Sequence, residues 1–124
     1  MATIHATDEE RIQPITITDK KNGKTYTLDF DRDSVAFAEE RGFELENVAR
    51  FPVVNLPLLF FYAFRMHNRE MSYYKTNELY KRLGGLSKNA IERLSLLYQQ
   101  AQQSNVIVLD DEDMGKNGDL TVDF

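Results

Sequence analysis

The sequence FPVVNLPLLFFYAFRMHNRE, residues 51–70, decides how this chain folds because it is the most apolar passage in it. Between Phe51 and Phe64 the one polar side chain is Asn55. A membrane span needs about 20 consecutive apolar residues, whereas this run is interrupted by Pro52 and Pro57 and is followed at once by charged residues. The sequence therefore predicts a helix of a folded domain and no membrane segment.

The prolines place the start of that helix. Proline is tolerated in the first helical turn, so Asn55 is the predicted N-cap and the helix is expected over about residues 56–68. For two turns this helix is apolar on every side, and such a helix needs cover all round. Two interpretations stay open. The helix is central and wrapped by the rest of the chain, or one face is free for an oligomer partner or an apolar client.

An alternating pattern precedes the run. ITITDKKNGKTYTLDF, residues 15–30, alternates apolar and polar side chains in two stretches, as half-buried strands do. Asn22 and Gly23 lie between the stretches and are typical of a tight hairpin turn, because both residues tolerate a positive φ. The sequence predicts a β-hairpin, and because two strands alone are marginally stable in water, its apolar face must pack on helices.

Further helices are indicated by residues that start or stop a helix. Asp31, Ser72 and Ser87 are predicted N-caps, and Gly42 and Gly84 are predicted to end the helices that begin at the first two. The helices after Ser72 and Ser87 show the spacing of amphipathic helices. Three shorter features complete the pattern: Phe43 folding back after Gly42, a helical turn in ELENVA (residues 44–49), and a short strand in VIVL (residues 106–109) that could join the hairpin edge.

The net charge of −5 is concentrated at one end of the chain. Residues 105–124 carry six carboxylates against Lys116, while the remainder is balanced. The sequence predicts a flexible tail over residues 1–12, a single globular domain over 13–104 with its hairpin at 15–30 and its helices at 32–104, and an acidic, disordered tail over 105–124. The predicted fold class is α+β and mostly helical, with an N-terminal hairpin packed on a bundle of four to five helices.

No catalytic arrangement is evident. The chain has no cysteine, which excludes disulfides, thiolate nucleophiles and zinc–thiolate sites. His5 and His67 lie on different predicted elements, and His67 with Glu70 supplies at most two of the three or four ligands that a metal site needs. In DEDMGKNGDL the last position of a calcium loop would be Phe124 instead of glutamate. The sequence predicts a protein that is not an enzyme, with no catalytic residue, metal or cofactor.

A DNA-binding alternative rests on residues 65–93. This stretch has an excess of basic side chains, and NELYKRLGGLSKNAIERL within it is loosely similar to a helix-turn-helix. Helix pairs with short glycine turns are common in small helical domains, and an acidic total charge is unfavourable for nucleic acid. Neither a nucleic-acid nor a membrane partner is expected, and a small DNA-binding regulator is kept as the alternative.

The order of these features resembles a known group of proteins. A hairpin with an Asn-Gly-Lys turn is followed by YTLDFDRDSVAFAEERGF, by FPVVNLPLLFFYAFRMH and by LGGL before the last helix. This layout resembles small proteins from the tail-morphogenesis region of long-tailed phages and prophages, and among them the siphophage tail assembly chaperones. The likeness covers about residues 13–102, and the residues beyond Ser104 match nothing in it.

The resemblance implies a non-enzymatic protein of the host bacterial cytoplasm. Such chaperones keep the apolar, helical tape-measure protein soluble while tail-tube subunits polymerise around it. The expected partners are tape-measure and tail-tube proteins and further copies of the chain, and a structural virion connector is a second alternative. We expect apolar and aromatic side chains of the helices to build the client-binding or self-association surfaces: Leu58, Phe60, Phe61, Tyr62, Phe64, Met66, Tyr73, Tyr80 and Tyr98.

Overall fold

The computed structural model describes residues 12–103. Within that range an antiparallel hairpin precedes five helices, which confirms the predicted α+β class. The predictions for both tails, and for a strand at residues 106–109, lie outside the described residues. The elements are β1 (Ile15–Asp19), β2 (Lys24–Leu28), α1 (Arg32–Glu40), α2 (Asn47–Arg50), α3 (Pro52–Phe64), α4 (Tyr73–Leu83) and α5 (Lys88–Gln103).

The hairpin has the predicted strands but a longer turn. Ile15 pairs with Leu28 and Asp19 with Lys24, which leaves residues 20–23 as the loop. The Asp19 carbonyl accepts hydrogen bonds from the N–H groups of Asn22 (3.3 Å) and Gly23 (2.7 Å). Gly23 has a positive φ of 75°, whereas Asn22 does not and serves the turn through its side chain, whose Oδ1 accepts a hydrogen bond from the Lys24 N–H at 2.9 Å. A four-residue loop closes with one left-handed residue, and glycine adopts that conformation at the least cost.

Helix α1 begins and ends as predicted. Asp31 accepts a hydrogen bond from the Ser34 N–H, and the Ser34 hydroxyl oxygen accepts one from the Asp31 N–H, both at 2.8 Å. At the other end Gly42 has a φ of 83°, and the N–H of Phe43 donates to the Ala38 carbonyl at 3.1 Å. This arrangement satisfies the last carbonyls of the helix and turns Phe43 into the core.

Helix α3 differs from its predicted bounds at both ends. It begins at Pro52 and ends at Phe64, so Pro57 lies inside it and the predicted range of 56–68 is wrong. Asn55 does not cap the helix. Its side-chain Nδ2 donates to the Phe51 carbonyl (2.9 Å), which its backbone N–H also contacts (3.1 Å). Pro57 is tolerated because it removes a single backbone hydrogen bond, the one to the Val53 carbonyl, close to an exposed helix end.

The last two helices follow their predicted signals. Ser72 accepts from the Lys75 N–H and Ser87 from the Ala90 N–H, both at 3.1 Å. Gly84 ends α4 in the left-handed conformation with a φ of 78°. Their apolar stripes differ in burial: the stripe of α5 is mostly buried, whereas α4 buries Thr76 and Leu79.

The core surrounds the second half of α3. Tyr26 of β2 contacts Phe64 with ring centroids 5.4 Å apart, and the Asp29 N–H donates to the Ala63 carbonyl at 3.0 Å. The hairpin therefore covers α3 from one side, and α1, α4 and α5 cover it from others. The buried hydrophobic residues of this core come from every element except β1: Tyr26, Leu28, Phe30, Val35, Ala38, Phe43, Val48, Leu59, Phe60, Tyr62, Ala63, Phe64, Leu79, Leu94, Leu97, Tyr98 and Ala101.

An ion pair fastens the hairpin to α4. The Arg82 guanidinium donates two hydrogen bonds to the Asp19 carboxylate, Nη1 to Oδ2 at 2.9 Å and Nη2 to Oδ1 at 2.8 Å. The Lys21 N–H adds a third at 3.0 Å. Arg82 first, and then this backbone bond, lower the Asp19 pKa to about 2. The carboxylate is nearly inaccessible to solvent, so its pairing with Arg82 is what allows it to stay charged.

Candidate functional site

Four of the nine side chains expected to form a partner surface lie in the core. They are Phe60, Tyr62, Phe64 and Tyr98, each at most 4% exposed. The Tyr98 ring packs edge-on against Phe30 (5.0 Å between centroids) and Phe43 (5.5 Å). The expectation that these four present a surface is corrected by their burial, because the hairpin and the other helices, α4 among them, cover them within the chain.

The other five are half-buried or exposed. Phe61 contacts the Tyr73 ring at 5.6 Å between centroids and nearly at right angles, and Tyr73 is 40% exposed. Phe61 also faces Phe37, whose ring lies under the guanidinium groups of Arg41 (3.5 Å) and Arg65 (3.9 Å). The remaining three, Leu58, Met66 and Tyr80, are half-buried. Phe61 and Tyr73 thus form a partly exposed aromatic strip with basic groups at one end.

The most exposed apolar group lies at the start of α3, in a position that the sequence reasoning missed. Phe51, Val53 and Val54 are 55%, 87% and 62% exposed, and we call these three residues the apolar turn. No side chain caps this helix end. The position of Val53 and Val54, immediately after Pro52, could have indicated their exposure. A proline of this kind marks the first turn of a helix, and in this protein the other elements pack against the later turns.

A groove lies beside the apolar turn. It has a volume of about 680 Å³, and Pro52 of the first turn of α3 forms part of its wall. We call it the α2–α5 groove, since α5 contributes one wall and α2 with the start of α3 the other. Its lining is apolar except at the rim: Leu45, Glu46, Val48, Ala49, Pro52, Leu56, Ile91, Ser95, Gln99 and Gln102.

A second cavity, of about 780 Å³, has a polar lining. Asp29 and Asp31 lie there with Arg32, and partial burial raises the Asp29 pKa despite a hydrogen bond from the Phe30 N–H at 2.8 Å. Among the described residues, the ten that line this cavity include no histidine, serine or threonine, and so supply no nucleophile and base pair of the hydrolase kind. Among residues 12–103 no group of three or more His, Cys, Asp or Glu side chains could hold a metal ion.

The basic side chains that suggested DNA binding are partly engaged. Arg82 is paired with Asp19, and Lys81 lies 3.9 Å from the Glu78 carboxylate. Arg65 lies over the Phe37 ring. The α4–turn–α5 unit is present, but nothing in its geometry favours a nucleic-acid interface over an ordinary helix pair, and that alternative stays a prediction.

Nothing in residues 12–103 forms a helix with the length and apolar character that a membrane crossing requires. On the surface of the described residues, exposed apolar side chains lie beside a groove. Exposed apolar clusters of this kind mark protein-interaction sites in soluble proteins.

Comparison with known proteins assigns the chain to a family. The model of a family described as a domain of unknown function, DUF5055, matches residues 2–124. Comparison with curated proteins gave no match. Comparison with solved structures gave none either. The match spans nearly the whole chain, and the chain belongs to the DUF5055 family.

Proposed function

We propose that this member of the DUF5055 family is a non-enzymatic tail assembly chaperone that binds an apolar segment of a phage tape-measure protein in the host cytoplasm. The observation that supports the proposal is the apolar turn. Phe51, Val53 and Val54 are exposed together at a helix end that has no charged residue from position 51 to position 64. The resemblance of residues 13–102 to tail assembly chaperones supplies the class of client.

The chemistry of the turn suits an apolar helical client. Each exposed valine or phenylalanine that is covered on binding contributes roughly 1.5–3 kcal/mol at full burial. Three such side chains give a weak to moderate contact, which suits a chaperone that must release its client. The aromatic strip of Phe61 and Tyr73 supplies a second contact on the same helix and its neighbour. Aromatic and arginine side chains are enriched among residues that dominate binding.

Co-expression with the tape-measure protein tests this function. The soluble fraction of the tape-measure protein is measured with this chain, with a Val53→Asp/Val54→Asp variant, and without either. We expect the chain to raise the soluble fraction and the variant to lose most of that gain, because two carboxylates prevent an apolar client from covering the turn. A matched control is Ala36→Asp/Asn89→Asp, which adds the same charge at exposed positions of α1 and α5.

Three results would contradict the proposal. The client is no more soluble with the chain than without it, the control variant loses as much activity as the turn variant, or the chain is found in purified virions. The last result would instead support the connector alternative. A discrete, salt-sensitive complex with DNA at physiological salt would support the regulator alternative.

A further inference from the structure

Two arginine side chains lie on the two faces of one phenylalanine ring. The guanidinium carbons of Arg41 and Arg65 are 3.5 Å and 3.9 Å from the centroid of the Phe37 ring. At these distances each carbon lies over a face of the ring, and two guanidiniums over the same face would overlap. The two groups therefore enclose the ring and are no more than about 7.4 Å apart, the sum of the two distances. We call these three side chains the arginine sandwich.

The ends of α1 and α3 build the arginine sandwich. Arg41 follows Phe37 by one helical turn, and its Nη1 donates to the Phe37 carbonyl at 3.0 Å. Arg65 follows Phe61 by one turn, and the Phe61 and Phe37 rings are 6.3 Å apart between centroids. Both arginines are the C-cap residues of their helices, where the helix dipole favours a positive charge. The guanidiniums are thus held in place before any ligand arrives, so binding costs them little conformational freedom.

Within the described part of the chain, the charges of the sandwich are not matched by close carboxylates. The Glu40 Oε1 atom lies 3.9 Å from Arg41 Nη1, which is longer than a hydrogen bond, and both side chains are exposed. Between residues 12 and 103, Arg65 has no carboxylate oxygen within 4.0 Å. In contrast, Arg82 donates two hydrogen bonds to Asp19. Each guanidinium of the sandwich therefore keeps N–H donors for an acceptor on another molecule.

We propose that the arginine sandwich binds two carboxylates of an acidic, amphipathic helix of a partner protein. Each guanidinium binds one carboxylate through its planar fork of N–H groups. Glutamates four positions apart on a helix have Cβ atoms about 5–6 Å apart, and their flexible side chains span the separation of the two guanidiniums.

The aromatic strip next to the sandwich favours a polypeptide over a free anion. Phe61 lies one turn before Arg65 on α3 and contacts Tyr73, which is 40% exposed. An apolar side chain one turn before the first glutamate of the partner helix covers this strip while the glutamates reach the arginines. The inference goes beyond the proposed function, because it does not require a tape-measure protein as partner and because the apolar turn lies at the opposite end of α3.

Titration of the full-length chain with a synthetic peptide tests the proposal. The peptide is an alanine-based helix that carries leucine, glutamate and glutamate at four-residue intervals on one face, and its matched partner has glutamine in place of both glutamates. Calorimetry at low salt measures both affinities. We expect the glutamate peptide to bind about tenfold more tightly than the glutamine peptide, and added salt to reduce this ratio.

Three variants locate the effect. In Arg41→Gln/Arg65→Gln the ratio should fall to about one, because both forks are gone. The matched control Arg32→Gln/Arg93→Gln removes the same charge at exposed positions of α1 and α5 and should keep the ratio. Arg41→Lys/Arg65→Lys keeps both charges and should lose most of the preference, because an ammonium group cannot form the bidentate contact.

Four results would overturn the proposal. The first is a ratio near one for the native chain, a measurement that needs no variant to fold. The second is an equal loss in the control, which would assign the preference to net charge. The third is full retention in the lysine variant, which would exclude the bidentate contacts. The fourth is displacement of the glutamate peptide by inorganic phosphate at a lower concentration than the peptide itself needs to bind, which would assign the site to a phosphate group.

Discussion

The two halves of the apolar run at residues 51–64 are both apolar but lie in opposite environments. Residues 51–54 are Phe, Pro, Val and Val, and all four are exposed. In contrast, residues 59–64 include Leu59, Phe60 and Phe64 with essentially no solvent-accessible surface. The difference arises because the hairpin, α1, α4 and α5 converge on the second half of the helix, whereas the side chains of its first turn stay exposed. An apolar run therefore predicts that burial is needed somewhere along it, but the neighbouring elements decide where.

The largest expected effect is a difference in the free energy of unfolding between truncations in the buried half and in the exposed half. Phe60→Ala removes a fully buried ring that contacts Phe64 and Tyr80, and we expect it to lower the free energy of unfolding by about 3–5 kcal/mol. Phe51→Ala truncates the same side chain in the exposed half and should change it by about 0.5 kcal/mol or less. Urea denaturation of both variants measures the difference. Similar losses for the two would show that the apolar turn is covered in solution.

Removing the Asp19–Arg82 ion pair tests whether the packing of the hairpin on the helices stabilises the buried half of the run. The folded pKa of Asp19, about 2, lies below its ordinary value of 3.8, so the pairing stabilises the fold above pH 3.8 and this contribution is lost as the pH falls through about 2. We expect stability to decrease more steeply across this window in the native chain than in Asp19→Asn, which should also be less stable at neutral pH. Thermal unfolding from pH 6 to pH 2 measures both. Parallel profiles would show that Asp19 does not contribute.

A smaller effect is expected at the aromatic cover of the buried half. The Tyr98 hydroxyl is buried without a hydrogen-bond partner among the described residues, and burial raises the Tyr98 pKa. Because an unsatisfied buried hydroxyl is costly, Tyr98→Phe should stabilise the protein by about 1 kcal/mol while preserving the ring contacts with Phe30 and Phe43. Urea denaturation is the measurement. A loss of stability would indicate that the hydroxyl has a partner in solution.

The smallest stability effect is expected in the exposed half, where solution behaviour changes instead. Val53→Asp/Val54→Asp should alter the free energy of unfolding by about 0.5 kcal/mol or less, because both side chains are exposed. Retention of this variant on a hydrophobic interaction column should decrease, since two of the three exposed apolar side chains of the apolar turn are replaced by carboxylates. Ala36→Asp/Asn89→Asp serves as the control and should elute closer to the native chain. Equal retention of the two variants would contradict the exposure of the turn.

Local signals in the sequence were sufficient for much of the fold. The hairpin, the caps at Asp31, Ser72 and Ser87, and the left-handed glycines at positions 42 and 84 were predicted because each depends on interactions within a few residues. The start of α3 was predicted wrongly, at Asn55 instead of Pro52. Proline at the first helical position and asparagine at an N-cap are both favourable, and the choice between them depends on what packs against the helix.

The candidate site was harder to predict for the same reason. Phe61 and Tyr62 were both predicted to contribute to a partner-binding surface, whereas the structure leaves Phe61 half-buried and buries Tyr62. These two rings are neighbours in sequence, and their centroids are 5.2 Å apart. Of the two, Tyr62 is the one whose ring packs against Phe43. Which aromatic ring reaches the surface depends on where the chain returns after Gly42, and no local pattern in residues 51–70 contains that information.

Pro57 has a consequence for the specificity of the apolar turn. Because proline has no N–H, the carbonyl of Val53 lacks its usual partner one helical turn later, in the middle of the most exposed apolar side chains of the described chain. A ligand that covers this surface with hydrocarbon alone would bury an unpaired acceptor. One that also presents a donor, such as a serine hydroxyl or a lysine ammonium, would satisfy it. We therefore expect a ligand that carries such a donor to bind the apolar turn more tightly than one that is purely hydrocarbon.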